Sequence, residues 1–190
     1  MKKHIIIAGV PRSGKSTISQ MIAKQYGYQH ISMDSIIAGI EKTFPETGIS
    51  THVEIDEQKN LKFISSKISN FIKNMMASGE YNECDYGMVI DVYQLLPSDY
   101  IQNIDQTICD IFYFITSNVT GEERFQILKK YDTPNDYTYY YSDAQNREDC
   151  FDIVEVSKQI KKQCEQFNLP YYETAYNRKD VLHNFLSNLI

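Results

Sequence analysis

No stretch of this chain approaches the roughly 20 consecutive apolar residues that a membrane-spanning helix needs, so no membrane partner is expected. Cysteine is sparse. Cys84, Cys109, Cys150 and Cys164 form no C-x-x-C pair, and neither they nor the four histidines have zinc-ligand spacing. Free thiols in a reducing compartment fit that pattern. Positive charge is also short. Nineteen Lys and Arg face 25 Asp and Glu, for a net charge of −6, which argues against a general polyanion binder, so no nucleic-acid partner is expected. Arginine is scarcest, at Arg12, Arg124, Arg147 and Arg178 alone. Internal repeats and low-complexity linkers are absent. Lys2-Lys3 precedes an apolar run too short for a signal peptide, so a cytoplasmic location is expected.

What is present is an ordinary globular composition, 42% hydrophobic and 23% charged over 190 residues, enough for a single domain over 1–190. The chain is organised around Gly9-Val10-Pro11-Arg12-Ser13-Gly14-Lys15-Ser16, which reads G-x-x-x-x-G-K-S. It follows the β-branched run Ile5-Ile6-Ile7 and precedes a helical pattern, the setting that a phosphate-binding P-loop requires. Gly9 and Gly14 let the backbone turn close to phosphate. Successive N–H groups form an anion nest, reinforced by the following helix N-terminus. Lys15 reaches the β/γ-phosphates and the Ser16 hydroxyl holds Mg²⁺ in such a loop. ATP and Mg²⁺ are therefore the expected cofactors, held by Gly9 through Thr17 (Val10, Pro11, Arg12, Ser13, Gly14, Lys15, Ser16).

The rest alternates strand and helix. Residues 3–8 read as a strand and 15–26 as a helix ended by Gly27. A second strand covers 28–32, with Asp34 at its carboxyl end, and a short helix spans about 35–42. The segment from Thr43 to Thr51 reads as a loop. A long helix spans about 54–78, with Leu61, Ile64, Ile68, Phe71, Ile72, Met75 and Met76 as its core stripe and Gly79 as its cap. Gly87 to Asp91 is an apolar strand ending in a carboxylate, the form of a Walker B element, which makes Asp91 a second Mg²⁺ ligand. Leu96-Pro97-Ser98-Asp99 resembles a helix start. Residues 108–116 are a fourth strand, and Thr120 with Glu123 fits a capping box opening a helix with Arg124. Residues 131–146 break the pattern and include the tyrosines 137, 139, 140 and 141. A helix over about 147–167 follows, with Ile153, Val156, Ile160, Cys164 and Phe167 on one face. A short strand near Leu169 to Tyr172 and a helix over 178–189 close the chain. This is an α/β fold, with a parallel sheet covered by helices on both faces.

With Gly9–Thr17, Asp34, Val89-Ile90-Asp91, Thr116…Glu122-Glu123-Arg124 and Asn177-Arg178-Lys179-Asp180 in these places, the chain resembles the P-loop small-molecule kinases of the nucleoside/nucleotide kinase superfamily, adenylate kinase-like or shikimate kinase-like. The resemblance implies a three-layer P-loop NTPase fold with a five-stranded sheet in order 2-3-1-4-5. It also implies an acceptor region at about 34–80, a small lid at about 125–147 and Arg178 near the adenine. Arg12 stands where adenylate-kinase-like loops usually carry Gly. It is similar to one class of thymidylate kinases whose loop Arg meets the transferring phosphate. Arg12 and Arg124 are thus candidates for offsetting transition-state charge, against a loop-tip Arg and a surface ion pair. Arg147 has the same two readings.

The acceptor follows from the missing arginines. None lies between residues 13 and 123, where a monophosphate acceptor would want a bidentate guanidinium. Lys42, Lys59 and Lys62 offer only point charges. An uncharged hydroxyl compound is therefore favoured. In relatives of the shikimate and gluconate type an Asp after strand two contacts the accepting hydroxyl, and Asp34 is the matching residue. Mg²⁺ support through water and a helix N-cap are its other readings. His52, Glu54 and Asp56 fall in the acceptor region. The expectation is an ATP- and Mg²⁺-dependent phosphotransferase with Lys15, Asp34, Arg12 and Arg124 as its catalytic set. A nucleoside monophosphate kinase and a nucleotide-binding regulatory module are the rival readings.

Overall fold

The structure is a computed structural model that describes residues 3–50, 57–78 and 87–189. His52, Glu54, Asp56, Gly79 and Cys84 lie outside the described residues. Element order is β1 His4–Gly9, α1 Lys15–Tyr26, β2 Gln29–Ser32, α2 Met33–Thr43, α3 Glu57–Met76, β3 Met88–Val92, α4 Pro97–Asn103, β4 Cys109–Ile115, α5 Gly121–Tyr131, α6 Asp143–Phe167, β5 Tyr171–Glu173 and α7 Arg178–Ser187. Short 3₁₀ turns occupy Pro45–Thr47 and Tyr137–Tyr140.

The five strands are parallel and run in the order β2-β3-β1-β4-β5. This is the order that the resemblance implies. β1 and β3 are buried along their whole length, as suits apolar central strands covered on both faces. The edge strands β2 and β5 are shorter and only partly covered. Alternate residues of β1 feed two cores. Ile6 and Ala8 pack with Met33, Ile64, Ile68 and Val156 on one face, and Ile5 and Ile7 with Ile18, Ile22, Leu182 and Phe185 on the other.

The α3 stripe narrows relative to expectation. Leu61, Ile64, Ile68, Ile72 and Met76 are buried, while Phe71 faces solvent. α3 is joined to α4 by a buried polar relay. The Leu96 amide donates to Ser65 Oγ at 2.8 Å, and that hydroxyl donates to Asp99 Oδ2 at 2.5 Å, so the α4 N-terminus is satisfied from outside. The Thr120/Glu123 capping box is present in both directions. α6 begins four residues before the expected start. Ser142 accepts from the Gln145 amide and caps it, and the polar first turn carries no apolar periodicity to reveal it.

A parallel sheet brings every carboxyl end to one edge. Register places Asp91 beside both Ile7 and Ser32, so the P-loop, Asp34 and Asp91 converge. The exit from β1 leaves no room for a side chain. Gly9 has φ 127, and a Cβ on it would stand 2.0 Å from the Phe114 carbonyl oxygen. That oxygen already accepts from the Val10 amide at 3.1 Å.

Gly9→Ala is expected to cost about 3 kcal/mol or more in urea unfolding, because backbone would have to move. Gly27→Ala supplies the comparison. Its φ is 69 but nothing lies within 4 Å, so only the left-handed cost of about 1 kcal/mol applies. Equal losses at the two positions would show that the Phe114 contact is not the constraint.

Candidate active site

The P-loop is held by its carbonyl groups. Val10 O accepts from Ser13 Oγ and from Lys15 Nζ, each at 2.8 Å. Pro11 O accepts from Arg124 Nη2 at 2.7 Å, and Arg12 O from Arg178 Nη1 at 3.0 Å. Gly14 turns into α1 at φ 99, where a Cβ would meet Leu182 and Arg178 of α7. Three of the four arginines and Lys15 therefore gather on one loop. The Arg12 and Arg124 guanidinium groups are desolvated there, and each also feels the repulsion of the neighbouring arginines. Such a cluster is a standing demand for anionic charge.

Lys15 is buried at 6% exposure. Burial pushes its ammonium pKa down, and Asp91 and Asp34 pull it back up. Asp91 is nearly buried, and among the described residues its carboxylate accepts no hydrogen bond. Ser16, next to Lys15 in sequence, lines the cleft with its side chain exposed. An uncommitted carboxylate and an open hydroxyl flanking a phosphate loop fit a Mg²⁺ site completed by phosphate oxygens and water.

Asp34 lies in the first turn of α2 and faces the cleft. The N-cap position belongs to Ser32, so the helix-cap reading of Asp34 is corrected: α2 starts at Met33, two residues earlier than expected. Protein walls around the cleft push the Asp34 carboxyl up. Lys15 opposes this and Asp91 adds to it.

Two arginines sit differently from their sequence readings. Arg124 is buried at 7% exposure, with Nη1 on Thr116 Oγ1 at 2.8 Å and Nη2 on the loop. It does not line the cleft and, among the described residues, forms no ion pair. It braces the loop from behind, because the capping box orients α5 with Arg124 toward the sheet edge. Arg12 lines the cleft but is neither a free loop-tip residue nor open to phosphate. It is paired with Asp132 at 3.2 Å and with Asp136. Arg147 forms a half-exposed pair with Glu122 and lies over the Phe125 ring at 4.4 Å, away from the cleft lining.

The loop forms one end of a cleft of about 940 Å³. Its other walls are residues that the sequence reading had missed or left open. Tyr93 and Gln94 follow β3, Asp136, Tyr137 and Tyr141 come from the irregular segment, and Gln145, Asp149, Asp152 and Ile153 come from α6. Only two of the four clustered tyrosines reach it, since Tyr139 and Tyr140 pack edge to face on each other outside. Ile153, on the apolar face of α6, packs against the core and is also part of the wall. The signal was available: 145, 149, 152 and 153 share one helix face. Lys42 and Lys62 do not line the cleft. Cys109, Cys150 and Cys164 are free and buried, as expected for structural thiols.

No family model matches the chain. A stretch of 45 residues is 42% identical to an adenylate kinase of Parabacteroides distasonis, covering 24% of this chain and 24% of that relative. Solved structures resemble it over nearly the full length. A shikimate kinase from Bacteroides thetaiotaomicron superposes with TM-score 0.57 at 13% identity, covering 98% of both chains. The chain has the fold of the P-loop kinases. A gluconokinase from Sinorhizobium meliloti 1021 gives TM-score 0.54 at 13% identity over 98% of this chain and 91% of its own. The shikimate kinase from Acinetobacter baumannii in complex with shikimate gives 0.50 at 15% over 99% and 95%. Among the described residues, no helix of this P-loop kinase fold is long and apolar enough to cross a membrane.

Two outcomes follow from this geometry. Arg124→Ala removes the donor from a buried carbonyl and a buried hydroxyl and is expected to cost about 3 kcal/mol. ATP affinity should fall with it, read by calorimetry at a temperature where the variant is folded; full ATP affinity would show that the brace is dispensable. The Asp34 carboxyl is raised in the folded state, so ionising it costs stability. Asp34→Asn should therefore raise Tm at pH 7, and the gain should vanish as pH falls through the carboxylate range. A Tm gain that persists at low pH would remove this electrostatic explanation.

Proposed function

We propose that this chain is a Mg²⁺- and ATP-dependent phosphotransferase that moves a γ-phosphoryl group to a hydroxyl of a small molecule. One observation carries the reading. Lys15, Arg12, Arg124 and Arg178 converge on the P-loop at one end of a cleft, with the carboxylates of Asp34 and Asp91 beside them. Phosphoryl transfer needs little covalent chemistry from the protein, so position and charge supply most of the effect.

The loop amides and Lys15 hold the β- and γ-phosphates. Ser16 and Asp91 would hold Mg²⁺, whose charge when bound offsets that of the phosphate oxygens. Asp34 faces the cleft next to Lys15 and orients the acceptor hydroxyl. Its raised pKa suits a group that takes a proton as the new bond forms. Arg124 acts as a positioning residue through Pro11. Arg12 adds charge at the transferring phosphate once released from Asp132 and Asp136. Kinases named for shikimate and gluconate among the structural neighbours support a small hydroxyl acceptor. A nucleoside monophosphate kinase is the second reading, favoured by the adenylate kinase match over 45 residues. Against it, every arginine that lines the cleft belongs to the P-loop end.

The test is ADP release with Mg²⁺-ATP across nucleosides, nucleoside monophosphates and polyhydroxy compounds. Acceptor-dependent release should fall by about 10²-fold or more in Asp34→Asn, and to background in Lys15→Ala. A monophosphate acceptor would establish the second reading instead. Acceptor-independent turnover unchanged in both variants would sink both.

A further inference from the structure

The cleft is polarised. Arg12, Lys15 and Arg178 are the cations in its lining, and all three belong to the P-loop end. Beyond them the wall carries carboxylates. Asp136 is neutralised by Arg12, but among the described residues Asp34, Asp149 and Asp152 have no ion-pair partner. Asp149 and Asp152 are one turn apart on α6, on the face that Gln145 and Ile153 extend. Tyr137 and Tyr141, whose rings meet edge to face with centroids 5.7 Å apart, line the same cleft.

A second observation is independent of the carboxylates. Gln94 is 2% exposed, lines this cleft, and its Oε1 has no hydrogen-bond partner among the described residues. A buried acceptor left unpaired is costly, about 1–3 kcal/mol. Its position in the wall calls for a donor supplied by the occupant. Carboxylates, a carbonyl oxygen and ring faces share one preference: each is an acceptor for N–H⁺.

We infer that the acceptor half of the cleft selects a hydroxyl compound that also carries a cationic amino group, with Asp149 and Asp152 pairing to the ammonium and Gln94 accepting one of its protons. This assignment rests on the kinase reading only in calling the occupant an acceptor. Burial raises the Asp149 carboxyl, and Asp152 and Glu148 raise it further. Burial and then Glu148 do the same for Asp152. A bound cation favours the ionised form of both and so offsets the rise. The same wall repels an acid-bearing polyol or a phosphate monoester, in agreement with the absence of arginine there.

Three matched polyols test the charge: N-methylglucamine (cationic), sorbitol (neutral) and gluconate (anionic). Each is titrated calorimetrically into the full chain loaded with Mg²⁺ and a non-hydrolysable ATP analogue. N-methylglucamine should bind about tenfold more tightly than either of the others, as a charge-assisted hydrogen bond implies. The Asp149→Asn/Asp152→Asn double variant should bring it to the level of sorbitol while the analogue still binds, which shows that the fold survives. Asp149→Arg should turn the preference toward gluconate. The assignment is overturned if the amine has no advantage in the wild type, whether sorbitol or gluconate binds better or none binds at millimolar concentration. It is equally overturned if the advantage survives in the double variant. ADP release is measured in parallel. Amine-selective binding without ADP release would keep this site and remove the kinase reading. ADP release driven by gluconate or a monophosphate would keep the kinase reading and remove this site.

Discussion

Three consecutive carbonyl groups govern the molecule's functional edge. Val10, Pro11 and Arg12 each have their oxygen taken by a side chain from a different place: Lys15 of α1, Arg124 of α5 and Arg178 of α7. Peptide planes are rigid, so fixing the carbonyls fixes the amides between them. The loop is thus set by the packing of three helices as well as by its own residues. Those helices are set in turn by strands β1, β4 and β5, whose carboxyl ends lie side by side. The close approach of Gly9 to Phe114 is where this chain of constraints begins.

Much of this was legible in the sequence. Repetitive β-branched strands, the G-x-x-x-x-G-K-S spacing and the Thr120/Glu123 box are local signals, and local signals survive folding. The strand order came through resemblance, and the sheet agrees. The illegible parts share one physical cause: they depend on where a long polar side chain finds its partner. Arg124 and Glu122 are two residues apart on one helix. One head is buried against the sheet edge while the other pairs with Arg147 in solvent. No periodicity distinguishes a guanidinium that goes inward from one that goes outward. The polar face of α6 was hidden for a related reason. Its Gln145, Asp149 and Asp152 read as an ordinary solvated face, and only the opposing Tyr137 and Tyr141 turn it into a wall. The start of α6 at Asp143 was missed because its cap, Ser142, precedes a turn without apolar residues.

Arg12 unites the two ends of the cleft. Its φ of 61 is a left-handed conformation that a residue with a Cβ occupies at a cost of about 1 kcal/mol. The return is position: the guanidinium reaches Asp132 and Asp136 across the cleft mouth. Both carboxylates are held ready for it. Thr138 Oγ1 donates to Asp132 at 2.7 Å, and the Thr133 amide and hydroxyl donate to Asp136 at 3.0 and 2.8 Å. The segment between α5 and α6 is therefore tied to the P-loop through a single cation. The Nη1 and Nη2 of Arg12 are both taken, and a phosphate group competes for them with the same geometry that a carboxylate uses. An anion that takes those two nitrogens must loosen the tie to Asp132 and Asp136, and any contact that strengthens the tie must weaken that anion's hold on them. Freed of Arg12, Asp136 would add its carboxylate to the acidic wall of Asp149 and Asp152. Filling the phosphate end thus sharpens the polarity of the acceptor end, and one arginine couples the two.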